Sequence, residues 1–178
     1  MTARSLTDSR TLRRVPRPEP EPLPALDIAI EARPGLVFQL ISAVGQGADA
    51  AHARVVERPS PERAIVEFTT RVMGRTVRTL EEVGFHAPDL ISYRLLKGPI
   101  PGVEEEFRVE PDGEWTMLRY RGTFTVHSPW WRGAFDRIVV PRIYRRAVLA
   151  SMAQIKQAAE ERQAKSRVFG ERKPEEIL

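Results

Sequence analysis

Residues 54–126 read RVVERPSPERAIVEFTTRVMGRTVRTLEEVGFHAPDLISYRLLKGPIPGVEEEFRVEPDGEWTMLRYRGTFTV. Stretches rich in Val, Ile, Thr and aromatic residues are cut at Pro59-Ser60-Pro61, Gly74, Ala87-Pro88-Asp89, Gly98-Pro99-Ile100-Pro101-Gly102 and Pro111-Asp112-Gly113. Proline presets a turn dihedral and glycine allows positive φ, so these are turn sites between strands. The pattern predicts strands over Arg54–Arg58, Arg63–Met73, Arg75–Phe85, Leu90–Lys97, Val103–Glu110 and Trp115–Val126. Connections this short cannot cross over a sheet, so the strands form an antiparallel meander.

Upstream, Ala25 to Arg33 alternates Leu26, Ile28 and Ile30 with Asp27, Ala29 and Glu31, which predicts a further strand. Pro34 then opens a short helix to Val44, with Val37, Leu40, Ile41 and Val44 at helical spacing, and Gly45-Gln46-Gly47 stops it. A second short helix is expected over Ala48–Ala53. Downstream, Ser128 is an N-cap candidate, Pro129 a first-turn proline, and the helix runs to about Phe169. The expected fold class is α+β, an antiparallel curved sheet of about seven strands wrapped on a long C-terminal helix. Between such layers, side chains too small to fill the gap leave a pocket.

The chain has 178 residues, which suits one domain with tails. Met1 to Pro24 carries Pro16, Pro18, Pro20, Pro22 and Pro24 and is expected to be a disordered, solvated tail. Residues 25–169 then form the ligand-binding domain, and residues 170–178 a charged C-terminal tail. With no cysteine there is no disulfide, which fits a reducing compartment. No apolar run reaches the roughly 20 residues of a membrane span, and the N-terminus lacks the apolar core of a secretory signal. The expectation is a cytoplasmic protein without stable membrane insertion, transient membrane contact being allowed.

The net charge is +4, but the arginine clusters interleave with Glu104-Glu105-Glu106, Glu160-Glu161 and Glu175-Glu176. No basic stripe emerges, so no nucleic-acid partner is expected. His52, His86 and His127 stand far apart in the sequence, which argues against a metal site. No phosphate-binding glycine loop and no G-x-S-x-G elbow are present, and no cofactor is expected.

Side chains alternate across a strand, so each strand divides into two faces, the more apolar facing inward. The inner face then carries Val66, Phe68, Thr70 and Val72, followed by Val77, Thr79, Glu81, Val83 and Phe85. It continues with Ile91, Tyr93 and Leu95, with Val103, Glu105, Phe107 and Val109, and with Thr116, Leu118, Tyr120, Gly122 and Phe124. On the long helix Ile143, Tyr144, Ala147, Val148, Ser151, Ile155 and Ala158 share a face, opposite Arg142, Arg145, Arg146, Lys156 and Glu160. Trp130 and Trp131 are expected to pack against the sheet, and Pro141 to kink the helix.

The polar minority of the inner face, Thr70, Thr79, Glu81, Tyr93, Glu105 and Tyr120, points to a ligand, because a packed core rarely accepts an unpaired carboxylate. A strand bulge, or a surface arginine at a strand end, would instead carry the two glutamates out of the interior. The ligand-binding set is therefore Val66, Phe68, Thr70, Thr79, Glu81, Tyr93, Glu105, Phe107, Leu118, Tyr120, Phe124, Ile143, Tyr144, Ala147 and Ser151, with no catalytic residue assigned.

The element order resembles the helix-grip fold of the START/Bet v 1-like superfamily, in particular its bacterial polyketide cyclase/dehydrase and lipid transport group. The likeness is carried by Leu26-Asp27-Ile28-Ala29-Ile30, Ala32-Arg33-Pro34-Gly35-Leu36-Val37-Phe38, Val66-Glu67-Phe68, Ser92-Tyr93-Arg94, Phe107-Arg108-Val109-Glu110-Pro111-Asp112-Gly113 and Leu118-Arg119-Tyr120. It implies an apolar small molecule held between sheet and helix. The turn at Gly74, the Gly98–Gly102 loop and the His127–Trp131 junction would then form the mouth. The chain departs from many members at Gly45 to Ala53, which offers no large aromatic wall.

Three functions stay open on the sequence. The first is a non-catalytic carrier or sensor of a lipid, isoprenoid or polyketide-like ligand. The second is a cyclase or dehydratase using Glu81 or Glu105 as base and Tyr93 or Tyr120 as donor. The third is an interaction module with a filled core.

Overall fold

The computed structural model describes residues 20–46, 51–72, 74–125 and 130–171, the side chains at 72, 130–136 and 168–171 excepted. Its elements are β1 (Pro20–Pro22), β2 (Leu26–Ile30), α1 (Pro34–Ser42), β3 (Ala53–Ser60), β4 (Arg63–Val72), β5 (Arg75–His86), β6 (Leu90–Lys97), β7 (Glu104–Asp112), β8 (Trp115–Thr125) and α2 (Trp130–Glu171). Strands β3 to β8 form the expected antiparallel meander, each paired with the next. Tight turns set the hairpins, and Gly74 and Gly113 occupy the positive φ values, 78° and 63°, that the β4–β5 and β7–β8 turns require.

One correction concerns the N-terminal tail. Pro20–Pro22, expected in the disordered tail, is a strand: Pro20 pairs with Thr125, Glu21 with Phe124 and Pro22 with Thr123. β2 pairs with the other half of the same strand, from Leu26 opposite Tyr120 to Ile30 opposite Thr116. Together they cover one edge of the sheet. An edge strand needs hydrogen bonds on one side only, so proline at alternate positions is tolerated. The Leu23 amide, just past β1, donates to Gly122 O at 2.8 Å, and the Leu23 side chain is buried. Residues 1–19 of the tail lie outside the described residues, as do residues 48–50 of the second short helix and the Ser128 cap. Ala53, the last residue of that expected helix, opens β3.

The core lies where α1 and the first strands meet the middle of the sheet. Ile30, Val37, Val66, Val83, Ile91, Val109, Leu118 and Phe124 are all buried in one cluster. Each such side chain contributes about 1.5–3 kcal/mol by leaving water. Thr116, a buried polar residue, donates its hydroxyl to Ala32 O at 2.6 Å and so costs little.

The long helix docks differently from its apolar periodicity. Among its described side chains the buried ones are Val140, Val148, Met152, Ala159 and Gln163, whereas Ala147 and Ser151 are exposed. The cause is its seat against α1 and β2, at one side of the sheet. Lys156 Nζ donates to Ala29 O at 2.7 Å, and Glu160 Oε1 accepts from the Glu31 amide at 2.9 Å. Lys156 and Glu160, expected opposite the packing face, thus belong to the seam, and α2 stands off from the far half of the sheet.

Candidate functional site

The space left by this one-sided seat is a cavity of about 940 Å³, open to solvent, between β4–β7, α1 and the later turns of α2. The interior is therefore not filled, and the solid-core interaction module is set aside. Phe68, Glu81, Tyr93, Glu105 and Phe107 all line the cavity, and Ser151, Gln154, Ile155 and Ala158 face them from α2.

The wall is largely aromatic. Phe68 and Tyr93 have ring centroids 6.1 Å apart, Tyr93 and Phe107 6.0 Å, and Phe107 and Tyr120 5.2 Å, all tilted or edge-to-face. These geometries suit the ring quadrupole and fix the rings against one another. The ladder register explains the row: Tyr93 lies opposite Glu105 on β7, and Phe107 opposite both Ile91 and Tyr120.

Both glutamates turn inward, since no bulge on their own strands β5 and β7 breaks the alternation there. The one register shift in the β5–β6 ladder falls between Leu80 and Glu81 and leaves Leu96 exposed on β6. Glu81 accepts a hydrogen bond from Thr79 Oγ1 at 2.6 Å, and Glu105 accepts one from the Tyr120 hydroxyl at 2.5 Å. Each carboxyl is deep in the protein while still touching cavity space. Burial raises the Glu81 pKa, and the Thr79 bond offsets part of that rise. Burial pushes Glu105 up to about 7, against the Tyr120 bond and with help from the Glu81 charge. Tyr120 and Tyr144 are raised by burial first, with the nearby glutamate charges adding to it.

The remaining expected residues fall into three groups. Val66, Leu118 and Phe124 are fully buried and pack the core beneath the cavity. Thr79 and Tyr120 act on the site through the glutamates they bond, and Tyr144 through its burial beside them. Ile143 is half-buried and does not line the cavity, and Ala147 is exposed. Thr70 has inward parity but is exposed near the tip of the β4–β5 hairpin, two residues before the end of β4. Sequence reasoning missed the α1 side of the wall, Leu40, Ile41, Ala43 and Val44. The signal was present, since Leu40, Ile41 and Val44 belong to the helix's apolar stripe. Of the expected mouth, residues 73 and 126–129 lie outside the described residues.

A second hollow of about 680 Å³ lies on the outer face of the sheet, with Arg63, Glu82, His86, Ser92, Arg94 and Arg121 along it. Its arginines are paired, Arg94 with Glu82 at 2.8 Å, Arg63 with Glu82 at 3.7 Å and Arg121 with Asp27 at 2.7 Å, and Glu62, Glu104 and Glu106 also line it. Such exposed pairs are worth up to about 1 kcal/mol and need no ligand. The inner cavity, whose two carboxyls are set deep in the protein, is the candidate site.

The family model described as polyketide cyclase / dehydrase and lipid transport matches residues 25–160. The chain belongs to this family. No curated protein matches the sequence. Among solved structures, the Zhui aromatase/cyclase from Streptomyces sp. R1128 is similar at a TM-score of 0.70 and 17% identity, over 81% of this chain and 96% of that one. TTHA0849 from Thermus thermophilus is similar at 0.65 and 19% identity, over 77% and 95% of the two chains. A START superfamily protein from Mycobacterium smegmatis gives 0.59 and 15% identity, over 82% and 99%. At these identities the structural likeness establishes the helix-grip fold alone, within which family members differ in their sites. Among the described residues no helix is long and apolar enough to cross a membrane.

Proposed function

We propose that the protein binds a hydrophobic small molecule, a lipid, isoprenoid or polyketide-like compound, in the cavity between sheet and α2, and acts as its carrier or sensor in the cytoplasm. The supporting observation is the aromatic row Phe68–Tyr93–Phe107 facing about 940 Å³ that α2 leaves unfilled. That volume lies in the range of small-molecule sites, and the aromatic sheet wall with its two inward carboxyls suits an apolar body with one polar end, while the exposed Gln46, Gln154, Gln157, Glu161 and Arg162 border the solvent side. Native mass spectrometry of the purified protein is expected to show a co-purified adduct, and a lipophilic panel to raise its melting temperature. Ser151→Trp, at the exposed α2 wall, is expected to keep the fold by circular dichroism and lose both effects. Absence of an adduct and of any thermal shift in the wild type defeats the reading.

A second reading has its own observation. Glu105, near neutrality and hydrogen-bonded to Tyr120, is poised to exchange a proton at physiological pH, as a cyclase or dehydratase needs. Under this reading Glu105→Gln abolishes turnover of a reactive poly-β-carbonyl substrate while leaving its binding intact. Turnover that survives loss of both glutamates rejects it.

A further inference from the structure

Several carboxylates on the outer face of the sheet have cation partners that the two inward ones lack. Outside, Asp27, Glu67, Glu82 and Glu110 each have an arginine within ion-pair distance. Inside, Glu81 and Glu105 have only the hydroxyls of Thr79 and Tyr120, and among the described residues no cation forms an ion pair with either. Glu81 lies opposite Leu95 and Glu105 opposite Tyr93, so the two carboxyls flank β6 from strands β5 and β7. Their main chains are about 12 Å apart, two strand spacings across and two residues along, and both side chains enter the same cavity. Among the described residues the other charged or titratable groups lining this space are Tyr93 on β6, Glu161 and Arg162 on α2, and His52 before β3, with Tyr120 on β8 and Tyr144 on α2 beside the glutamates. Arg162 is exposed at the wall and pairs with neither glutamate.

Aromatic faces beside carboxyls without cations form a recognisable chemical complement. Ring faces attract a cation that has left water, and a carboxylate does so more strongly. At a pH where both carboxyls are ionised, an anionic head would add a third negative charge to the pair. A neutral hydroxyl would bond one carboxyl and leave their mutual repulsion in place.

We infer that the cavity's ligand is a lipophilic amine, its ammonium held by Glu81 and Glu105 and its apolar body laid on the Phe68–Tyr93–Phe107 wall. This inference rests on the proposed binding function and names the ligand class. In the unliganded protein burial favours the protonated form of both carboxyls and pushes Glu105 up to about 7. An ammonium takes the place of that proton, so binding releases protons near neutral pH and tightens as the pH rises toward about 8.

The test compares three probes of one chain length, decylamine, decanol and decanoate, by calorimetric titration of the full chain. Decylamine is expected to bind roughly tenfold or more tighter than decanol, with decanoate weakest. Repeating the amine titration near neutral pH in buffers of different ionisation heat is expected to reveal proton release. Glu81→Gln/Glu105→Gln, checked by circular dichroism, is expected to bring the amine down to the level of the alcohol. If that variant fails to fold, the ranking of the three probes on the wild type still decides. Decanol or decanoate binding as tightly as decylamine overturns the amine inference and leaves the cavity reading standing. Failure of all three to bind overturns both.

Discussion

The Tyr120 hydroxyl donates to Glu105 Oε1 across neighbouring strands β8 and β7, at 2.5 Å, behind the aromatic wall of the cavity. Tyr120 is itself buried, so the bond satisfies two groups that water cannot reach freely. It also holds the Glu105 pKa below where burial alone would take it. Tyr120→Phe removes the donor and keeps the ring. The expected result is a further rise in the Glu105 pKa, followed by carbon-13 NMR of labelled glutamate, and a loss of about 1–3 kcal/mol in stability. An unchanged Glu105 titration rejects this role for the bond.

Because its folded pKa lies near 7, above the ordinary 4.5, Glu105 binds its proton more tightly in the folded protein than in the unfolded chain. Its contribution is therefore fully present below about pH 4.5 and is lost as pH rises through about 7, a change on the order of 3 kcal/mol. Glu105→Gln is neutral throughout and is expected to flatten the fall. Glu81, shifted in the same direction, leaves a residual slope. Urea melts on either side of this window, at about pH 4 and about pH 8, check this. Parallel behaviour of variant and wild type refutes it.

How much of this was legible follows from which residues carry a repeating signal. Alternation along β5 and β7 placed Glu81 and Glu105 inward because a strand has only two faces, and a correct period leaves one choice. A helix face is a continuous angle. Ala147 and Ser151 sit one residue from Val148 and Met152, about 100° around α2, and the apolar pattern is too weak to separate these stripes. The deciding contacts are polar, Lys156 to Ala29 O and Glu160 to the Glu31 amide, and periodicity assigns such residues to solvent. Pro20–Pro22 was hidden for a related reason, since composition describes the chain alone and the strand exists only through its partner β8.

The seat of β1 depends on packing more than on charge. Leu23 is buried, whereas the Glu21–Arg137 pair that ties β1 to α2, at 2.7 Å, is exposed. Leu23→Ala is expected to cost about 2–4 kcal/mol in chemical denaturation. Glu21→Gln should cost under about 1 kcal/mol. The reverse order would mean that β1 is held by its charges.

Gly122 lies on β8 two residues from both Tyr120 and Phe124, and its missing side chain leaves room for the Tyr120 hydroxyl to reach Glu105. A methyl group there would stand 2.9 Å from the Tyr120 hydroxyl, 3.0 Å from Leu23 Cδ1 and 3.2 Å from Glu104 O. The hydroxyl is the group at closest approach, and moving it breaks the bond to Glu105. Gly122→Ala is therefore expected to destabilise the fold by about 1–3 kcal/mol and to raise the Glu105 pKa as Tyr120→Phe does. The two changes share one cause, so their costs should fall short of additive in Tyr120→Phe/Gly122→Ala, where no hydroxyl remains to be displaced. Strict additivity in urea melts of the two single variants and the double variant would show that the glycine serves only the backbone.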